Sequence, residues 1–264
     1  MNKSTRNEEA KAHAFKRLLI IMDELRVACP WDKKQTNESL HYLTIEETYE
    51  LADAILQGDA ESIKEEVGDL FLHLVFYSKI GEEKNQFDVA DVLHAVCDKL
   101  VERHPHIYGD LEVTDEEEVK ANWEKIKLKS GKSKGVLGGV PRGLPALVKA
   151  QRIQEKAHGV GFDWSAREAV WDKVLEEIQE LQEEVAREPI QHDQLTAEFG
   201  DVLFSLINYA RFIGVNPEEA LERTNQKFMR RFQHMEQAMQ TERKTFDQLS
   251  LSEMDAYWNN AKKN

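Results

Sequence analysis

Glu177 and Glu180 stand three residues apart, and on the next apolar-periodic segment Glu198 and Asp201 repeat that spacing. Residues three and four apart share a helix face, so each pair directs two carboxylates toward one region. Glu176 completes the run EEIQE at 176–180 and borders the same face. Asp201 leads directly into VLFSLI, an apolar stretch that must enter a core, which sets these acids at the edge of a buried surface. Carboxylates gathered in such a place repel one another and resist ionising unless a cation compensates. Ligation by oxygen alone, without His or Cys, suits a hard cation: Mg2+ first and Mn2+ next, with zinc disfavoured. A single EExxE run reads better as a solvated helix face.

Repetition separates the two readings. Glu47 and Glu50 lie in EETYE at 46–50, and Glu66 and Asp69 in EVGDLF at 66–71, so the whole acid set occurs twice at an offset of about 130 residues. PWD at 30–32 returns as GFD at 161–163, Lys99 and Arg103 return as Lys227 and Arg231, and Trp123 returns as Trp258. A solvated face gives no reason for acids to recur beside the same glycine and the same apolar run. Gly68 and Gly200 precede the acid inside predicted helices, at about 1 kcal/mol each relative to alanine. Close approach of two helices is the preferred explanation for them, access for metal or substrate the other.

The elements that must position these groups follow from apolar spacing of 3.6 residues. It predicts helices near 9–28, 38–57, 60–84, 88–103 and 115–129, and again near 145–158, 166–187, 191–213, 216–239 and 251–263. No pair of strands emerges. SGKSKGVLGGVPRGLP, at 130–145, has no helical period and reads as a linker, with a phosphate-contacting loop as the alternative. The expected fold is all-α: two duplicated helical-bundle domains, 1–130 and 146–264, joined by a Gly-rich linker at 131–145.

Composition bounds the partners. Among 264 residues there are only 13 Gly and 6 Pro, which favours helix, and the length suffices for two ordinary cores. The formal charge of -14 repels polymeric nucleic acid and anionic membrane surfaces, though carboxylate-held cations can still draw in a small anion. Cys29 and Cys97 are too few for a disulfide framework and lack metal spacing, so both read as plain buried thiols. The nine histidines show no zinc-type cluster. With no signal-like N-terminus and no run of about 18 apolar residues, the expected location is cytoplasmic.

EExxE followed by ExxD on the next helix, a later basic segment and a tryptophan near the end together resemble the MazG family of nucleoside triphosphate pyrophosphohydrolases. The resemblance spans nearly the whole chain through EETYE, GDLFLHLVFY, DKLVERHPHIY, NWEKIK, LPALVKAQRIQEKAHGVGFDW, KVLEEIQEL, EFGDVLF and NQKFMRRF. It implies a compact helical fold per half, a homodimer, and Mg2+ between the acids and a nucleoside triphosphate that is cut to monophosphate and pyrophosphate. Carried onto this chain, the metal ligands are Glu177, Glu180, Glu198 and Asp201, with Glu47, Glu50, Glu66 and Asp69 as a second possible site. Substrate contacts fall to Lys173, Lys227, Arg230, Arg231 and Trp258, which suits cations that stabilise phosphate charge and an indole that stacks on a base. The bland alternative has these cations pairing with surface acids and Trp258 capping a core. Glu176, Glu177 and Glu180 are the expected catalytic acids, Glu176 orienting the attacking water from outside the ligand set.

Basic residues separate the halves: Leu43 stands where Lys173 does, and Glu102 where Arg230 does, so residues 146–264 are expected to form the principal catalytic unit. The first half then serves assembly, regulation or a weaker activity. Broad base usage, in nucleotide-pool cleansing or a stress-linked role with an unknown regulator as partner, is the expected setting. Rivals are a dUTP or dCTP pyrophosphatase, a phosphoribosyl-ATP pyrophosphohydrolase, and a non-catalytic helical partner protein that holds metal structurally.

Overall fold

A computed structural model describes residues 3–113, 115, 118, 119, 122, 123, 126 and 135–262. Among them the secondary structure is helical, with no strand. The chain divides into two compact units, Met1–Glu112 and Val113–Asn264. That division falls earlier in the chain than the Gly-rich segment. The helix expected at 115–129 lies largely outside the described residues.

The first unit contains α1 (Lys3–Ala28), α2 (Asn37–Gln57), α3 (Ala60–Glu83), α4 (Val89–Arg103) and the single turn α5 (Pro105–Tyr108). The sequence reads that last segment as a break; Pro105 at its first position preorganises one helical turn before Gly109 ends it. The starts of α2, α3 and α4 are each fixed by a side chain that accepts orphan N–H groups. Thr36 and Ser39 form a reciprocal cap on α2, Asp59 caps α3, and Asp88 with Asp91 caps α4. Gly58, at φ 72°, ends α2 in the left-handed conformation that a Cβ disfavours, so α2 and α3 turn back on each other within two residues. Met22, Leu40, Val75, Phe76 and Ile80 form the core of this unit.

The second unit repeats the plan with α6 (Ala146–His158), α7 (Arg167–Ala186), α8 (His192–Phe212), α9 (Pro217–Thr241) and α10 (Leu251–Ala261). α7 and α8 form its principal helix pair, as α2 and α3 do in the first. α6 packs on α8, and α10 lies along α9. Asn216 caps α9 ahead of Pro217, and Ser250 with Glu253 caps α10. Val170 and Val174 on α7 and Val202 and Ile207 on α8 are buried in this unit.

Two expectations need correction. Cys97 is exposed and Cys29 only half-buried, because no residue of α4 is buried and Cys29 sits in the turn beyond α1. Gly68 and Gly200 have nothing within 4 Å of the place a Cβ would occupy, so close helix approach does not explain them. Among the described residues no helix is long and apolar enough to cross a membrane.

Candidate active site

The α7–α8 pair brings Glu177, Glu180 and Glu198 together, one carboxylate oxygen from each within 4.8 Å of the others. Glu177 is buried, Glu198 half-buried and Glu180 exposed, so the cluster spans from the helix interface to the surface. In the first unit Glu47, Glu66 and Asp69 make the same approach. Neither group takes in its fourth expected member. Glu50 lies close enough for its charge to act on Glu47 and Glu66. Asp201 lines an adjoining cavity with Lys173 and Glu177.

These acids are held in a state that a cation would relieve. Desolvation raises the Glu180 carboxyl above its ordinary range, and the charge of Glu177 adds to the shift while Lys173 opposes it. Desolvation likewise raises Glu47, helped by Asp69 and Glu50, and raises Glu66, helped by Glu50 and Glu47. An all-oxygen set of crowded, partly dehydrated carboxylates fits a hard divalent ion. Lys173 is the charge already in place: its Nζ lies 2.7 Å from Glu176 and 2.8 Å from Glu177. Hydrogen bonds to Glu176 and Glu177 hold the ammonium well above its ordinary pKa, so it stays charged at any working pH.

The adjoining cavity holds about 380 Å3 between α6, the turn after it, α7 and α8. Gly161, at φ 84°, lets that turn reverse, and Phe162 N–H donates back to the Ala157 carbonyl. Asp163 anchors the turn: it accepts from Arg211 Nη2 at 2.6 Å, from the Trp164 backbone N–H at 2.9 Å, and pairs with His158 Nδ1 at 2.7 Å. Burial pushes the Asp163 carboxyl up, but the Arg211 hydrogen bond and charge, with the Trp164 and His158 contacts, hold it below the usual aspartate range. A depressed acid stabilises the fold at neutral pH and loses that contribution as pH falls through its folded-state value. Asp163→Asn is therefore expected to lower unfolding free energy by about 3 kcal/mol at pH 7, because it leaves Arg211 half-partnered in a largely buried place. Urea unfolding at pH 7 and again in acid checks this, the gap between variant and parent closing at low pH.

Lys227 and Arg230 are exposed on α9 and Arg231 is half-buried; none forms an ion pair among the described residues. The bland alternative, cations paired with acids, thus describes Lys173, which bonds Glu176 and Glu177, but not these three. Trp258 on α10 packs against Phe228, ring centroids 4.8 Å apart, and Phe228 continues into a stack with Phe232 and Phe246.

Sequence reasoning missed the cavity, and with it Gln154, Asn208 and Arg211. A position-by-position comparison of the halves holds the missing signal. Asn208 stands where the first unit has Phe76, and Lys173 where it has Leu43. In the first unit Phe76 is fully buried in the core and Leu43 packs against it. The same register is filled by hydrocarbon in one copy and lined by amide and ammonium groups around open space in the other.

Comparison with known proteins agrees with this duplication. The family described as the MazG nucleotide pyrophosphohydrolase domain matches twice, at residues 35–108 and 166–236. A nucleoside triphosphate pyrophosphohydrolase of Escherichia coli strain K12 is 40% identical over 253 residues, covering 94% of this chain and 96% of that protein. A nucleoside triphosphate pyrophosphohydrolase/pyrophosphatase of Thermotoga maritima is 42% identical, covering 94% and 95%. The uncharacterized protein YabN of Bacillus subtilis is 45% identical over 97% of this chain and 53% of its own length. Each matched segment contains one of the two acid-bearing helix pairs, and the chain belongs to the MazG nucleotide pyrophosphohydrolase family.

Proposed function

We propose that the protein hydrolyses nucleoside triphosphates to nucleoside monophosphate and pyrophosphate in the cytoplasm, with broad base usage, at the site of the second unit. The observation that carries this reading is the juxtaposition, on α7 and α8, of a carboxylate trio, a permanently charged Lys173 and a cavity of nucleoside size. Glu177, Glu180, Glu198 and Asp201 hold the divalent cation, Mg2+ in preference to Mn2+. When bound, that ion neutralises the polyphosphate and acts as a Lewis acid on the reacting phosphoryl group. Lys173 turns from Glu176 and Glu177 to a phosphate oxygen as substrate enters, and this frees the Glu176 carboxylate. Glu176 then orients a water for in-line attack on the α-phosphorus and takes up its proton. Lys227, Arg230 and Arg231 bind the leaving pyrophosphate, whose charge grows as the α–β bridge breaks. Trp258, held by its aromatic stack, borders the nucleoside. With ATP the expected products are AMP and pyrophosphate in equal amounts, resolved by ion-exchange chromatography; ADP and orthophosphate would contradict the assigned cleavage position. A panel including dUTP, dCTP and phosphoribosyl-ATP tests the breadth against the specialised alternatives. No pyrophosphate from any of them would favour a non-catalytic helical partner, stress-linked or otherwise.

A homodimer belongs to the same reading. Val67, Phe71 and Leu74 form an exposed stripe at i, i+4 and i+7 on α3, and Phe199, Leu203 and Leu206 repeat it at the same register on α8. Large apolar residues in contiguous rows on a helix face mark an association surface. Light scattering is expected to give twice the chain mass of 30.5 kDa, and Leu206→Glu to shift it toward the monomer.

A further inference from the structure

Asn208 is 4% exposed and stands on α8 in the wall of the second unit's cavity. Its Oδ1 accepts twice from Arg211, from Nη2 at 2.8 Å and from Nε at 3.2 Å. A guanidinium can only donate, so these two bonds fix which way round the amide sits. Nδ2 is left facing away from Arg211, and among the described residues it donates to nothing. Gln154, another residue of the wall, shows the contrast. Its Oε1 is orphaned in a closed place, whereas Asn208 Nδ2 keeps accessible surface, and the space this buried residue borders is the cavity. Folds seldom leave a buried amide donor unserved unless something outside the chain serves it.

The other polar groups of the wall are engaged. Ser205 donates to the Val202 carbonyl at 2.9 Å, Lys173 pairs with Glu177 at 2.8 Å, and Arg211 pairs with Asp163 at 2.6 Å. Arg211 is itself held in place, since its guanidinium also lies over the Phe212 ring, 4.6 Å from the centroid. Asp163 is fixed in turn by the Trp164 backbone N–H and by His158 Nδ1. A chain of contacts thus runs from the turn after α6, through Arg211, to one neutral donor. The first unit has the same register without the chain. Phe76 stands in place of Asn208 within the core, and Lys79, in place of Arg211, is paired with Asp23 at 2.6 Å and Glu82 at 2.9 Å.

We propose that Asn208 is a specificity-determining residue of the second unit: Nδ2 donates to an acceptor on the base of the bound nucleotide. Asp163 and Arg211 are positioning residues that keep the amide nitrogen turned inward. The proposal rests on the nucleotide-hydrolase reading, in which this cavity takes the nucleoside, and adds the atom that chooses. Every standard base carries a ring nitrogen or carbonyl oxygen that can accept, so a single neutral donor tolerates all of them while still demanding an acceptor at one place.

The probes are 1-deaza-, 3-deaza- and 7-deaza-ATP, each of which replaces one ring acceptor of adenine by C–H. Wild type is expected to use two of them about as well as ATP and the third with kcat/KM for pyrophosphate release at least about tenfold lower. Asn208→Asp keeps the shape and leaves an oxygen for Arg211, but its inward atom can only accept. It should lower kcat/KM for ATP at least about tenfold, to or below the value for that third analogue, so that the preference vanishes or inverts. A merely structural role would slow all four triphosphates alike. Arg211→Lys keeps a charge beside Asp163 without the planar fork and should narrow the wild-type preference to about threefold. Equal use of all four by wild type, or a preference that persists in Asn208→Asp, overturns the proposal. A preference undiminished in Arg211→Lys overturns the positioning role. Should wild type release no pyrophosphate from any of them, the hydrolase reading fails separately. Calorimetry with adenosine and the three deaza-adenosines then decides: one analogue must bind more weakly than adenosine, and equal or absent binding of all four ends the proposal.

Discussion

Alanine at both Glu177 and Glu180 is expected to lower pyrophosphate release by about a thousandfold or more, whereas alanine at Glu47 and Glu50 leaves most of it intact. Removing two of three converging carboxylates takes away the seat of the cation and, with it, the main source of charge stabilisation in the transition state; single groups of that kind are worth about 10²–10³ in rate. The first unit has a comparable acid trio but not the groups that would make it productive. Leu43 cannot contact phosphate as Lys173 can, Glu102 opposes the charge that Arg230 supplies, and Phe76 closes the space beside Asn208's register. Steady-state kinetics with a pyrophosphate-coupled assay on the two double variants decides the matter. Activity that survives at Glu177 and Glu180 but is lost at Glu47 and Glu50 reverses the assignment of the working unit.

The second large effect concerns the metal. Chelation should reduce turnover to background, and added Mg2+ should restore it, with Mn2+ as a working replacement. Binding to the folded state alone stabilises it by about 2.7 kcal/mol at a hundredfold excess over the dissociation constant, a rise of several degrees in melting midpoint. The E177A/E180A protein should lose part of that rise, and any remainder belongs to Glu47, Glu66 and Asp69. Protons compete for the same oxygens. Because Glu180, Glu47 and Glu66 are raised above the ordinary carboxylate value, the stabilisation by Mg2+ should weaken as pH falls toward that range, sooner than for unperturbed acids. A midpoint that ignores Mg2+ at neutral pH, in a protein that still turns over after chelation, would remove the ion from the account.

The helices were legible from apolar periodicity, and at five starts a capping side chain agrees with it: Thr36, Asp59, Asp88, Asn216 and Ser250 cap where the pattern starts. The acids were legible because a spacing of three on a helix and an antiparallel neighbour leave little freedom in where they point. The cavity was not, since it depends on volume. Whether Ile153, Val170 and Phe162 fill a space or surround it is set by the residues they face, and periodicity gives only the face. Gln154 reads as an ordinary polar residue on an amphipathic helix until the Phe204 carbonyl fixes one end of its amide and leaves the other unmade. The open surroundings of Gly68 and Gly200 were hidden for a similar reason, because a glycine in a helix reports that a side chain is missing without reporting what, if anything, comes near.

The exchange of Phe76 for Asn208 at one register has a consequence for how a doubled gene can diverge. A hollow interior is a standing liability, since it forgoes the dispersion contacts that a solid one provides. In a chain with a single copy, every substitution that improved rigidity there would erode ligand capture, and selection would hold both traits in balance. With two copies, the sibling with the filled centre would be free to drift toward a sturdy scaffold, while the other, if it is the working unit proposed above, would keep its vacancy under selection for chemistry alone.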